Sequence, residues 1–306
     1  MARTRFVPDT QLTVRMTAVL FLLGGLFVAL VVALMYAFPK YAVLIGLGGI
    51  GVAVFQWWNS DKAALRAMRA RVVTAEEAPE LHGMIDRLCA MADMPKPRVA
   101  IADTDLPNAF ATGRSPSHSA VCVTTGILRA LTAEELEGVL AHELSHVAHR
   151  DVLVMTVASS AGIVAGMLTR GAQFGAMGMG RSRSSNNNNG GGALGLVAVL
   201  AVSLVVYAIS FLLLRLLSRY RELAADRAGS YLTQKPSALA SALTKISGQM
   251  NAVPERDLRA AQPMNAFFIA PAVRGLTLST LTATHPPLEQ RLDQLAKIAT
   301  SLGQSQ

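Results

Sequence analysis

The stretch AHELSHVAHRDVLVM, residues 141–155, sets three histidines and a glutamate directly ahead of an apolar run. Two of the histidines, His142 and His146, are four residues apart and enclose Glu143 in an H-E-x-x-H pattern. Positions i and i+4 share one face of an α-helix, so both imidazoles can reach a single metal ion. Glu143 then falls where it can take a proton from water at that ion. The pattern is short and needs its context. Residues 131–149 read as one amphipathic helix. Thr132, followed three residues later by Glu135, forms a capping box at its start.

Two histidines leave a tetrahedral zinc short of a protein ligand. The candidates are Glu222, Asp226, His149, His285 and Asp151. The segment RYRELAADRAG, residues 219–229, places Glu222 and Asp226 on one face of an expected helix. There Glu222 could bind the metal, while Asp226 receives the free ring N–H of a ligating histidine and fixes its tautomer. The alternative is that both carboxylates pair with Arg219, Arg221 or Arg227, as carboxylates on helix surfaces commonly do.

The composition explains the apolar neighbour. Of 306 residues, 52% are apolar and only 16% charged, too apolar for an ordinary soluble enzyme. Four uncharged runs stand out, at residues 16–38, 41–58, 152–169 and 193–214. About 20 apolar residues cross a bilayer as a helix, so the expectation is about four transmembrane helices. The first run is too long for a secretory signal and reads as a retained anchor. The net charge of +8 is not one block. Arg3, Arg5 and Arg15 precede the first run, and Lys62, Arg66, Arg69 and Arg71 follow the second. That pattern suits a membrane surface and a cytoplasmic location for both flanks; no aromatic-basic interleaving points to nucleic acid. Cys89 and Cys122 read as buried, reduced thiols.

The expected organisation is an anchor hairpin over 1–58, a first catalytic part over 59–151 and a membrane hairpin over 152–214 with a Gly/Asn-rich loop at 170–192. A second catalytic part at 215–306 brings the third ligand. Residues 98–101 and 120–124 read as short strands in a mainly helical α+β domain with a small β-sheet. His146 precedes the third run and Glu222 follows the fourth. They can share an ion only if the chain crosses the membrane an even number of times between them. Arg170, Arg181 and Arg183 sit in the intervening loop, against a non-cytoplasmic position. Either the charge rule is weakly obeyed there or the hairpin dips in without crossing.

Four segments resemble the HtpX-type membrane zinc metalloproteases of peptidase family M48, whose fold is gluzincin-like. They are NAFATG (108–113), LTAEELEGVLAHELSHVAHRD (131–151), RELAADRAG (221–229) and THPPLEQR (284–291). The resemblance implies one Zn²⁺ per chain held by His142, His146 and Glu222, with Glu143 as general base and Asp226 supporting a histidine. It also implies a multi-pass protein of the inner (plasma) membrane whose active site faces the cytoplasm. Its substrates would be misfolded or damaged membrane proteins and peptides, in a quality-control and stress-response role. Under the same resemblance Asn108, Ala109 and Phe110 begin an edge strand that pairs with an extended peptide; alone, an Asn- and Gly-containing segment reads as a turn. His285 either donates to the oxyanion of the tetrahedral intermediate or only starts the last helix. His149 reads as a helix-end residue, and His82 and His118 as surface residues. Two rival readings are an intramembrane protease, disfavoured by the charges around the motif, and a scaffold with structural zinc, which would need four protein ligands.

Overall fold

The computed structural model describes residues 6, 10–37, 39–151, 190–252 and 286–304. Its described helices are α1 (Thr10–Ala37), α2 (Ala42–Ala67), α3 (Pro79–Ala92), α4 (Thr125–Ala130), α5 (Ala133–Ala148), α6 (Gly190–Thr233), α7 (Pro236–Ala252) and α8 (Leu288–Ser301). Four strands, β1 (Arg71–Val72), β2 (Arg98–Ala102), β3 (Ala109–Ser115) and β4 (His118–Thr124), make one mixed sheet in the order β1-β2-β4-β3. β2 runs parallel to β4, while β1 and β3 pair antiparallel with their neighbours.

Side chains alternate across a strand, and both faces of this sheet are covered. Val99, Val121, Val123 and Ala109 join the main core with Ile85 and Leu88 of α3, Leu140 and Leu144 of α5, and Leu243 and Ile246 of α7. Ala100, Ala102, Phe110, Ala120 and Cys122 turn the other way, onto Ala64, Leu65 and Met68 at the end of α2. Burying both faces lets the strands read as near-continuous apolar runs. α3 starts on Pro79, whose missing N–H costs nothing at that position, and buries Leu81, Ile85 and Leu88 at helical spacing.

α5 is the central helix of this core. The backbone N–H of Thr132 donates to Glu135 Oε2 at 2.8 Å, and Thr132 Oγ1 accepts from Glu135 N at 3.4 Å. Glu135 also receives Ser241 Oγ at 2.6 Å and Lys245 Nζ at 2.7 Å, so the cap fastens α7 to α5 as well. Burial pushes the Glu135 carboxyl up, but the bonds from Lys245, Ser241 and Thr132 outweigh it and hold the group down at about 2. A carboxyl with a folded pKa below its unfolded value of about 4.3 stabilises the fold above that value. The contribution is lost as pH falls from there toward 2. Glu135→Gln is therefore expected to cost about 1–3 kcal/mol at neutral pH. In thermal unfolding of the detergent-solubilised protein, the gap to the unmodified protein should close between about pH 4 and pH 2. A gap that stays constant over that range would assign the effect to packing.

The chain divides into two compact units. One comprises Met1–Thr13, Asn59–Leu153 and Arg215–Gln306; the other comprises Val14–Trp58 and Val154–Leu214. In the second, Leu30 and Leu34 of α1 pack with Val206 of α6, while Phe21, Leu22, Val28, Leu44, Leu47 and Leu204 are exposed. Such exposed apolar surface suits lipid.

The expectation of about four transmembrane helices is met in part. Among the described residues two helices are long and apolar enough to cross, Thr10–Tyr36 and Ala201–Thr233. The second run contributes a shorter apolar helix, Val43–Asn59, because its apolar stretch gives way to Asn59 and the charged residues after it. The third run and the Gly/Asn-rich loop lie outside the described residues apart from Gly190–Gly192, which open α6. The fourth run and the carboxylate-bearing segment after it are one continuous 44-residue helix, α6.

Candidate metal centre

α5 presents His142 and His146 one turn apart, and α6 brings Glu222 to them. His142 Nε2 lies 3.6 Å from Glu222 Oε2, and His146 Nε2 lies 3.4 Å from Glu222 Oε1. One donor atom from each residue falls within 4.8 Å of the other two, and all three residues are buried. The imidazoles stand edge to face, 4.8 Å between centroids.

Each imidazole turns its other nitrogen to a carboxylate. His142 Nδ1 is 2.9 Å from Asp226 Oδ1, and His146 Nδ1 is 2.7 Å from Asp151 Oδ2. Each carboxylate meets an arginine in turn. Arg291 of α8 grips Asp226 in two-pronged fashion, Nε to Oδ2 at 2.7 Å and Nη2 to Oδ1 at 2.6 Å. Arg221 Nε is 3.1 Å from Asp151 Oδ2. Glu143, 5% exposed, lies beside this cluster, and its Oε2 accepts the backbone N–H of Ala111 on β3 at 2.9 Å. Burial pushes the Glu143 carboxyl up, against the opposing charges of His142 and His146.

Three observations fit a divalent cation. His142 Nε2 is buried with no hydrogen-bond partner among the described residues. A tetrahedral metal with donors at about 2.1 Å sets those donors about 3.4 Å apart, close to the distance of each histidine from a Glu222 oxygen. Asp151, Glu222 and Asp226, ionised together, outnumber Arg221 and Arg291 by one charge, and buried charge must be balanced. Burial disfavours a charge on either histidine, yet the neighbouring carboxylates of Asp226 and Glu222 raise His142, and those of Asp151 and Glu222 raise His146.

The helices that carry the ligands meet backbone to backbone. A Cβ on Gly229 of α6 would lie 2.9 Å from His142 N and 3.2 Å from His142 Cα. Gly229→Ala must push α6 from α5 and is expected to cost about 1–3 kcal/mol, with metal content falling in parallel. Gly248→Ala, where nothing lies within 4 Å, should stabilise α7 by up to about 1 kcal/mol. Unfolding midpoints and metal analysis of the two variants check the pair; equal effects would remove the packing argument.

The other sequence candidates are placed differently. His149 caps α5, with Nδ1 2.8 Å from Ser145 O and its ring 6.2 Å from Phe6, outside the cluster. Asp151 stands behind His146. Of the three arginines weighed against Glu222 and Asp226, Arg221 meets Asp151 instead. His285 lies outside the described residues. Asn108 is buried, its backbone N–H on Thr124 Oγ1 and its carbonyl accepting from Thr124 N, both at 2.9 Å. The side chains of Ala109 and Phe110 enter opposite cores. His82 is half-buried with Nε2 3.1 Å from Val73 O, so it is not a free surface residue; His118 is exposed near Ser115 and Ser117. Sequence reasoning missed Arg291 and the roles of Asp151 and Arg221. Arg291 closes the motif at 284–291, which is the signal that pointed to it.

The family model described as Peptidase family M48 matches residues 75–299. Protease HtpX homolog 1 of Streptomyces coelicolor is 54% identical over 304 residues, covering 99% of this chain and 98% of that one. Protease HtpX homolog of Moorella thermoacetica is 46% identical, covering 97% of each. Protease HtpX homolog of Pyrococcus furiosus is 40% identical, covering 92% of this chain and 89% of that one. Among solved structures, Ste24p of S. mikatae aligns with a TM-score of 0.48 at 15% identity, covering 94% of this chain and 66% of that one.

Proposed function

The chain belongs to peptidase family M48 as an HtpX-type metalloprotease, and from that premise we propose that it is a membrane-bound, zinc-dependent endopeptidase acting on the cytoplasmic side. Its proposed substrates are misfolded or damaged proteins of the inner membrane, and its role is quality control. The observation that carries the reading is the convergence of His142, His146 and Glu222 with Glu143 beside them. His₂Glu, with no fourth protein donor among the described residues, fits a catalytic zinc set, whereas structural zinc is closed by four protein ligands. When bound, the ion supplies Lewis acidity toward a peptide carbonyl and toward water.

Glu143 takes a proton from water and returns it to the leaving amine. Its burial favours the neutral form and so suits a group that must both accept and release a proton. β3 is an edge strand of the sheet among the described residues. The Ala111 N–H points away from β4, and the two-residue period turns the backbone of Ala109 outward as well. An extended peptide can pair along that edge, beside Glu143. With Asn108 and Phe110 buried, the 108–110 segment would act through its backbone. His285 is proposed as a donor to the oxyanion.

The cytoplasmic side is supported by the basic residues that follow α2's apolar stretch. The test is metal analysis of purified protein together with degradation of a misfolded membrane protein in proteoliposomes. One zinc per chain, and cleavage abolished by a chelator and restored by Zn²⁺, is expected. Cleavage that survives metal removal would overturn the reading.

A further inference from the structure

Asp151 should not be where it is by helical continuation. Five residues past His146 on a helix points about 140° away from it. α5 instead ends at Ala148, and Arg150 takes φ 58, a left-handed conformation uncommon outside glycine. That reversal turns the chain back, so that Asp151 reaches His146 Nδ1 at 2.7 Å and is itself 1% exposed. Backbone strain of this kind persists where surrounding contacts over-determine it. Arg221, the residue just before Glu222 on α6, brings its Nε to the same carboxylate oxygen, Oδ2, at 3.1 Å.

We propose that Asp151 and Arg221 are a positioning pair that orients His146 for the metal and ties it to the helix that brings Glu222. The proposal rests on the three-residue metal centre. Asp151 accepts the hydrogen bond of Nδ1–H, which leaves Nε2 unprotonated on the side of Glu222, free to hold the metal. Arg221 balances the charge of the buried carboxylate. One arginine therefore connects the second ligand, on α5, to the third, on α6, from the two sides of the apolar insertion between them. Behind His142, Asp226 meets Arg291 through two hydrogen bonds, where Asp151 meets Arg221 through a single ion-pair contact. Both ligating imidazoles thus have a carboxylate and a guanidinium of their own.

The test uses full-length protein in detergent and a chelator competition for Zn²⁺, with unfolding of the metal-free protein measured alongside. Loss of an outer partner lowers metal affinity about 10–100-fold, and that is the change expected for Arg221→Gln and for Asp151→Asn. Arg221→Lys should recover most of the affinity. The double variant should be no weaker than Asp151→Asn alone, since the two residues act as one unit. Co²⁺ loaded in place of zinc should show a shifted visible absorption in both single variants. If Arg221→Gln destabilises the metal-free protein, Arg221→Lys and the isosteric Asp151→Asn carry the comparison. Affinity within twofold of the unmodified protein in Arg221→Gln, or strictly additive losses in the double variant, would overturn the proposal. Failure of the unmodified protein to bind metal would instead refute the metal centre.

Discussion

Glu143→Gln is expected to lower peptide hydrolysis by about 10²–10⁴-fold with metal content unchanged. The two effects separate because of where Glu143 stands. It is adjacent to His142 in sequence, yet the three donor atoms that converge belong to His142, His146 and Glu222. Its own Oε2 is engaged by the N–H of Ala111. A glutamine carbonyl accepts the same bond, so the side chain stays in place. What the amide cannot do is hold and release a proton. Stability should not fall either, since the Glu222 charge is among the influences that make an ionised Glu143 unfavourable. The measurement is single-turnover cleavage of a peptide substrate beside zinc analysis and an unfolding scan. Cleavage within tenfold of the unmodified enzyme would move the general-base role to another group.

The parts of this site that could be read from the sequence are those encoded locally. His142, Glu143 and His146 are fixed by helical spacing, and Thr132 with Glu135 announces where that helix begins. The strands at Arg98–Ala102 and His118–Thr124 are dense in β-branched or small apolar residues and show as runs. β3 does not, because AFATGRS has little strand propensity; its shape comes from pairing with β4 and from Glu143 at its outer edge. β1, two residues long, has no periodicity to detect.

The longer-range features were hidden for a different reason. No proline stands anywhere in Gly190–Thr233, and no glycine between Gly195 and Gly229, so nothing ends a helix at Leu214; the charged residues that begin at Arg215 mark a change of surroundings, not a break. The contacts of Arg291 with Asp226 and of Arg221 with Asp151 join residues far apart in the chain. Such contacts leave no local pattern. Glu222 and Asp226 were found because they share a helix face, but which arginine each would meet depended on the fold.

Glu222→Ala is expected to release the metal, and it probes the fold more deeply than Glu143→Gln does. Glu222 is the single ligand that α6 contributes, and it carries the charge that compensates a divalent ion between two neutral imidazoles. Removing it leaves two histidines, each still oriented by its own carboxylate. Metal affinity should drop by more than the roughly 10–100-fold that loss of an outer partner causes. Glu222→Gln, which keeps the shape and loses the charge, should fall between the alanine variant and the unmodified protein. The comparison isolates the ligand from the helix, because α6 is held against α5 at Gly229 and against α8 through Asp226 and Arg291. The metal-free alanine variant should accordingly unfold near the metal-free unmodified protein, while the stabilisation that zinc gives, which follows its affinity, disappears. Full zinc retention in Glu222→Ala would mean that another group completes the site, and the convergence of α5 and α6 on one ion would lose its chemical meaning.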